Sequence, residues 1–337
     1  MRASLPALER RVGVRPAEAW WLPAAGLVVA LAGLGVALEA GPASQFVAVF
    51  MGIFLEAFPF LLLGVLLSTV IEALVPAERV RRLLPDGRMT APAFGSLLGL
   101  VFPVCECGVI PLGRRLLLKG LPLPLALAFI LAGPAVNPVV IASTWVAFNG
   151  DPLIVLGRIG LTLLVAVVVG AVAGFYPGWP LLDPEPPRVD DEVAPGHQIH
   201  PCRIDWPAHC ARAVDELLDL GRYLVLGAAL AAAVQTFVPR GALLALAHDG
   251  VTSVAIMMGL AALLSICSTV DAFVALPFAQ TFGPGALLGF LVLGPMVDVK
   301  NALLLGGVFR RRLAIVTIGL ATQLVFLAAV ILRLNVG

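Results

Sequence analysis

Phe102-Pro103-Val104-Cys105-Glu106-Cys107-Gly108 sets two thiols and a carboxyl group in the middle of apolar sequence, between a proline and a glycine. An ionisable group at membrane depth is expensive and marks a functional site by default. Pro103 and Gly108 interrupt a helix where they stand, which frees backbone carbonyls and amides beside the polar side chains. A second interruption of the same kind lies at Ser265-Ile266-Cys267-Ser268-Thr269-Val270-Asp271. Two polar helix breaks in the two halves of a membrane protein are the best sequence pointer to a transport site.

The surrounding composition supports the membrane reading. Of 337 residues, 60% are hydrophobic and 13% charged, with mean hydropathy +1.01. Several runs exceed the roughly 20 apolar residues that span a bilayer. Barrel strands alternate and do not give such runs, so the chain reads as an all-α polytopic membrane protein. A net charge of +1 gives no basic footprint for nucleic acid. Five scattered cysteines are too few for a disulfide framework. There is no Walker sequence, no Gly-rich phosphate loop and no Ser-His-Asp arrangement, so the chain reads as neither an ATP-driven pump nor an enzyme, and no cofactor is expected.

Apolar segments fall at about 20–39, 45–74, 91–119, 121–148, 153–176, 213–238, 251–282, 284–309 and 312–333. The run at 20–39 is long for a signal-peptide core and reads as a retained helix. The segments at 91–119 and 251–282 are each cut in two by their break, and each half rises only roughly 17–24 Å at 1.5 Å per residue, short of a 30 Å core. Each is a broken crossing or a re-entrant hairpin. Placing both as re-entrant with a cytoplasmic N-terminus leaves only Arg158, Arg240 and Arg333 among the basic loop residues on the outer side, which the positive-inside rule favours. The piece Ala77 to Leu84 is short, basic and amphipathic, suited to lie on the inner lipid surface.

An internal repeat runs through the chain. Ala128-Phe129-Ile130-Leu131-Ala132-Gly133-Pro134 matches Gly289-Phe290-Leu291-Val292-Leu293-Gly294-Pro295, and the same offset sets Asn137 against Asp298. Glu56 to Gly64 resembles Asp219 to Gly227. With re-entrant hairpins the two copies have opposite orientation. The expected organisation is a cytosolic N-terminus with a first helix (1–44), one transmembrane repeat (45–176), a polar His/Cys-containing loop (177–212) and a second, inverted repeat (213–333), with the two hairpins meeting at the midplane.

The candidate substrate-binding residues are Cys105, Glu106, Cys107, Cys267 and Ser268 at the breaks, with Asn137 and Asp298 at the Gly-Pro kinks that follow. Thiolates are soft ligands for Cu(I), Zn(II) and similar species, and three converging sulfurs also suit trivalent arsenic. The bland alternative is that the cysteines are small buried hydrophobes. Glu106 and Asp271 are the carboxyl groups nearest the breaks, and Glu56 lies deep in its own apolar segment near Pro59; all three can exchange a proton against a substrate cation. For Glu106 the alternative is a helix-end cap or a partner for Lys300, and Asp298 with Lys300 can equally form a structural pair. A second candidate metal set, His197, His200, Cys202, His209 and Cys210, lies in the polar loop, although its spacing fits no standard finger.

With these residues in view, the chain resembles the ArsP-type (YraQ/YcgR-like) bacterial permease family. The resemblance rests on Glu56 to Gly64, Pro103-Val104-Cys105-Glu106-Cys107-Gly108-Val109-Ile110-Pro111, Ala126 to Pro138, Cys267 to Ala275 and Gly294 to Lys300, and covers about residues 45–333. It implies a multi-pass permease of the bacterial inner membrane, a family with some exporters of trivalent organoarsenicals or thiophilic metals. It also implies substrate contact by Cys105, Cys107 and Cys267. The family pattern usually sets a small residue such as serine between the paired cysteines, where this chain has Glu106; a fixed carboxyl group there favours a cation or adds a proton site.

The reading that follows is a secondary exporter of a thiophilic metal ion or trivalent arsenical, with membrane lipid and that small substrate as partners and a homo-oligomer compatible with it. Two alternatives remain open at this stage. One is a transporter of an anion or small organic solute, drawn by half-helix N-termini, with structural cysteines. The other is an intramembrane thiol redox protein that cycles Cys105 and Cys107.

Overall fold

The computed structural model describes residues 41–74, 87, 89–102, 104–118, 120–175, 206–237 and 250–336. The expected first helix at 20–39, the basic piece at 77–84 and His197, His200 and Cys202 lie outside the described residues. The regular structure among them is helical.

The first half contains α1 (Gly41–Leu74), α2 (Thr90–Val101), α3 (Glu106–Leu118), α4 (Leu123–Val136), α5 (Pro138–Ala147) and α6 (Pro152–Gly174). The second contains α7 (Trp206–Phe237), α8 (Val251–Leu264), α9 (Asp271–Ala275) continued by a 3-10 turn at Leu276–Gln280, α10 (Pro284–Met296), α11 (Val299–Val308) and α12 (Arg311–Val336). The same order of long, short, broken and long elements therefore occurs twice. Among the described residues, six stretches are long and apolar enough to cross a membrane: Gly41–Val70, Leu123–Ala147, Pro152–Gly174, Ala213–Phe237, Pro284–Val308 and Arg311–Asn335. α2 and α8 are too short to do so, at 12 and 14 residues.

Two boundaries differ from the sequence expectation. α7 starts at Trp206, inside the stretch expected to be loop up to residue 212; Pro207 is compatible with a helical first turn, where its missing N–H is not needed. The second half of the 251–282 segment is α9 and a 3-10 turn rather than one helix, because Pro277 cannot donate to the ladder. A third difference concerns topology. Arg158, expected among the outer-side residues, is buried in α6 at 1% exposure.

Close glycine contacts fix the direction of each half-length helix. A Cβ on Gly95 would meet the Leu125 carbonyl, and one on Gly99 would meet Ala132 and Gly133, so α2 runs beside α4 in the same direction. Val109 packs on Gly133 and Ile130 on Gly113, so α3 runs beside α4 in the opposite direction. α2 and α3 thus form a hairpin that returns to the end where it began. In the second half Met258 packs on Gly289 and Ala261 on Gly294, which sets α8 parallel to α10 in the same way. Counting the spanning helices between them, the two hairpins enter from opposite ends of the bundle. Gly157 at the start of α6 meets Leu288 near the start of α10, and Arg333 near the end of α12 bonds Ser253 near the start of α8, as that sense requires.

α4 and α10 are the central pair. Leu125 to Val136 and Gly285 to Met296 are buried without interruption, which is why their sequences are apolar on every side. The other spanning helices ring them, with exposed faces such as Leu55 and Leu63 on α1 and Leu327 and Ile331 on α12 suited to lipid.

Candidate functional site

Both central helices are interrupted about midway, and the interruption is capped by the residue the repeat had paired. Asn137 accepts the Val140 N–H at 2.9 Å to start α5, and Asp298 accepts the Asn301 N–H at 2.5 Å to start α11. Each interruption is also tied to the tip of its own hairpin. The Asn137 amide donates to the Val104 carbonyl at 3.1 Å, and the Val299 N–H donates to the Ser265 hydroxyl at 3.2 Å. The broken backbones thus satisfy each other in protein, which is the condition for non-helical chain at membrane depth.

The tips carry the cysteines at matching places. The Cys105 carbonyl accepts from the Gly108 and Val109 amides at 3.1 and 3.0 Å and opens α3. The Cys267 carbonyl accepts from the Val270 and Asp271 amides at 3.0 and 3.1 Å and opens α9. All three thiols, Cys105, Cys107 and Cys267, are free. They line one small cavity together with Glu56, Ala57, Phe60, Glu106 and Lys300. Its free space is about 10 Å³, enough for roughly one water molecule. The two hairpins, entering from opposite ends, therefore share one site.

A charged group closes that site from the second half. Lys300 Nζ on α11 donates to Glu106 Oε1 at 3.0 Å and stands 3.6 Å from Asp298 Oδ2. The Lys300 and Glu106 side chains are each 3% exposed. Glu106 Oε2 and Asp298 Oδ2 are buried without a hydrogen-bond partner. Two carboxylates thus face one ammonium, and buried carboxylate oxygens without partners are costly.

A second buried charge pair sits elsewhere. Arg158 Nη1 and Nη2 donate to the two oxygens of Asp271 at 2.9 and 2.7 Å. Nη1 also reaches Thr144 Oγ1 at 3.0 Å, and Nε reaches the Ala135 carbonyl at 3.1 Å. Ala135 is among the last four residues of α4, whose carbonyls lack a helical donor. Asp271, expected beside the break, is therefore at the start of α9 but has both oxygens engaged, and it does not line the cavity. Ser268 is buried with no partner for its hydroxyl and does not line the cavity either. Asn137 is occupied by its cap and its tie to Val104, while Asp298 belongs to the Lys300 group. Glu56 lines the cavity from α1. His209 and Cys210 fall in the first turns of α7, with side chains outside the described ones. Among the described residues, no three His, Cys, Asp or Glu side chains stand close enough to hold a metal ion as the chain is arranged here.

Sequence reasoning missed Arg158 as a buried residue. The signal was present, since an arginine inside the apolar stretch 153–176 falls under the same rule that singled out Glu106. Phe60 and Ala57 were part of a matched motif but gave no chemical signal of lining a site.

Residues 43–334 match a family model described as a predicted permease, ArsP_1. The chain is 40% identical over 293 residues to the UPF0718 protein YcgR of Bacillus subtilis, an alignment covering 86% of this chain and 97% of that one. It is 34% identical over 297 residues to a Streptococcus mutans protein named as a candidate subunit of a two-component membrane permease complex, covering 85% and 94% of the two chains. No solved structure matches it.

Proposed function

The chain belongs to the ArsP_1 family of predicted permeases and is a multi-pass membrane permease, and from that premise we propose that it exports a thiophilic metal ion or trivalent arsenical across the bacterial inner membrane, with its N-terminus in the cytoplasm. The observation that carries this reading is the shared cavity. Cys105 and Cys107 reach it from one hairpin and Cys267 from the other, beside Glu106 and Lys300. Soft sulfur donors select thiophilic substrates. A thiol that ligates such a substrate releases its proton, and Glu106 Oε2, between the two cysteines in sequence, on the same cavity and without a hydrogen-bond partner, is suited to take it. Exchange of that proton against the substrate makes the permease a secondary transporter.

A cavity of one water's size holds no methylated arsenical, so transport requires the two tips to part and close again. Gly64 and Gly108 permit this on one side. A Cβ on Gly64 would lie 2.4 Å from the Gly108 Cα, so α1 and α3 meet backbone to backbone with no side chain between them. The Streptococcus mutans relative named as a complex subunit supports an assembly with a further chain.

Uptake into everted membrane vesicles tests the reading, with arsenite, a methylated trivalent arsenical, Cu(I), Zn(II) and a control anion. Accumulation of one thiophilic species by the native chain, lost in Cys105→Ala/Cys107→Ala at equal membrane level, is the expected result. Full transport in that variant, or movement of the anion alone, would return the cysteines to packing residues.

A further inference from the structure

Arg158 has each of its three guanidinium nitrogens engaged, and it joins the two halves. It belongs to α6 of the first half, at 1% exposure, and its bidentate partner Asp271 is the first residue of α9, the returning arm of the second hairpin. Its other bonds go to Thr144 on α5 and Ala135 on α4. One guanidinium thus gathers three elements of the first half onto the tip of the second hairpin. A bidentate Arg-carboxylate pair fixes orientation as well as distance. The Asp271 amide donates to the Cys267 carbonyl at 3.1 Å, so the clamped residue is one turn from the thiol that lines the cavity.

The first hairpin is held differently. Its tip charge, Glu106, makes one hydrogen bond, to Lys300, and its second oxygen has no partner. The offset of 161 residues that equates Asn137 with Asp298 sets Gly319 against Arg158, so no guanidinium stands at the equivalent place; the first hairpin is tied to the second half farther from its tip, where Arg115 on α3 bonds Glu216 on α7. We infer that Arg158 is a positioning residue that pins the tip of the second hairpin, and with it Cys267, to the first half, and so keeps that thiol shielded in the shared cavity. This rests on the permease reading above for its meaning, but its test does not require a transported substrate.

The test is site-resolved alkylation of the full chain in native membranes, followed by peptide mass spectrometry of Cys105, Cys107 and Cys267. In the native chain Cys267 reacts more slowly than Cys105. Arg158→Lys keeps the charge and loses the fork, and is expected to raise the Cys267 rate about tenfold while Cys105 and Cys107 change less than about twofold, since one clamp worth roughly a tenfold shift in opening is being removed. The exchanged pair Arg158→Asp/Asp271→Arg, which restores one charge of each sign, is expected to return the Cys267 rate toward the native value. Thr144→Val loses one of the four bonds, keeps the fold where Arg158→Lys fails to accumulate, and is expected to move Cys267 alone by a smaller factor in the same direction. A common rise of all three cysteines would overturn the inference, because it reports general loosening. So would an unchanged Cys267 in both Arg158→Lys and Thr144→Val. Absence of transport in the native chain, with the Cys267 response intact, would remove the substrate reading and leave the clamp standing.

Discussion

Two buried charge groups, about equally hidden from solvent, differ in how far they are satisfied. At Arg158 every bond found is to a strong acceptor: both Asp271 oxygens, the Thr144 hydroxyl and the Ala135 carbonyl. At Lys300 one ammonium is shared between Glu106 and Asp298, and an oxygen of each carboxylate lacks a hydrogen bond. A fully satisfied buried network rigidifies what it touches, while a partly satisfied one stores unfavourable energy that a ligand or a movement can release. On the permease reading proposed above, the first belongs to scaffold and the second to the site that changes state. The cavity with its three thiols lies beside the second.

The largest expected effect breaks the first group. Asp271→Ala leaves the Arg158 guanidinium buried with no counter-charge, a loss of about 3–5 kcal/mol in the usual range for a severed buried pair. Thermal unfolding in detergent is the measurement, set beside Glu106→Gln, which keeps the shape and a hydrogen-bonding oxygen near Lys300. Asp271→Ala is expected to unfold well below Glu106→Gln. Equal losses would erase the difference between the two groups.

The second test asks whether the Lys300 group acts as a unit. Lys300→Met strands two buried carboxylates, and Glu106→Gln removes one of them. The double substitution is therefore expected to be more stable than the two single losses add up to, with a coupling on the order of 1–3 kcal/mol for residues in direct contact. Additive losses would mean that Glu106 and Lys300 are neighbours without being partners.

Much of this arrangement could be read from the chain. The breaks at Cys105 and Cys267 announced themselves by placing polar residues with proline or glycine in apolar runs, and the repeat paired Asn137 with Asp298, which were expected to bind substrate and instead cap corresponding half-helices. The pairing of Lys300 with Glu106 was among the open alternatives, because sequence shows which charges need partners and not which partner each one reaches. Arg158 was assigned to a loop by proximity to the segment edge, and only the packing of α6 against α4 and α10, with the bond of Arg158 to Asp271, shows it buried. The three thiols were expected to converge. They line one cavity, yet they are not gathered tightly enough to hold a metal ion in this arrangement. Sequence spacing carries no information about how far two tips from opposite ends of a bundle stand apart.

The smallest expected effect probes how the second hairpin tip is shaped. Ser265 ends α8 in the left-handed region, at φ 47° and ψ 44°, and its hydroxyl accepts the Val299 N–H. A non-glycine residue in that region carries strain on the order of 1 kcal/mol, and a single hydrogen bond is worth about 1 kcal/mol net. Ser265→Ala keeps the strain and loses both hydroxyl bonds, the one accepted from the Val299 N–H and the one donated to the Ala262 carbonyl, so a loss of about 1–2 kcal/mol is expected. Ser265→Gly loses the same two bonds but relieves the strain, so it is expected to be more stable than the alanine variant. A glycine variant as unstable as the alanine variant would mean that Ser265 is held in its conformation without strain, and that its hydroxyl alone ties the tip to the α11 start. The contrast matters for the clamp, because a tip that is locally strained needs Arg158 to keep Cys267 in place, whereas an unstrained one does not.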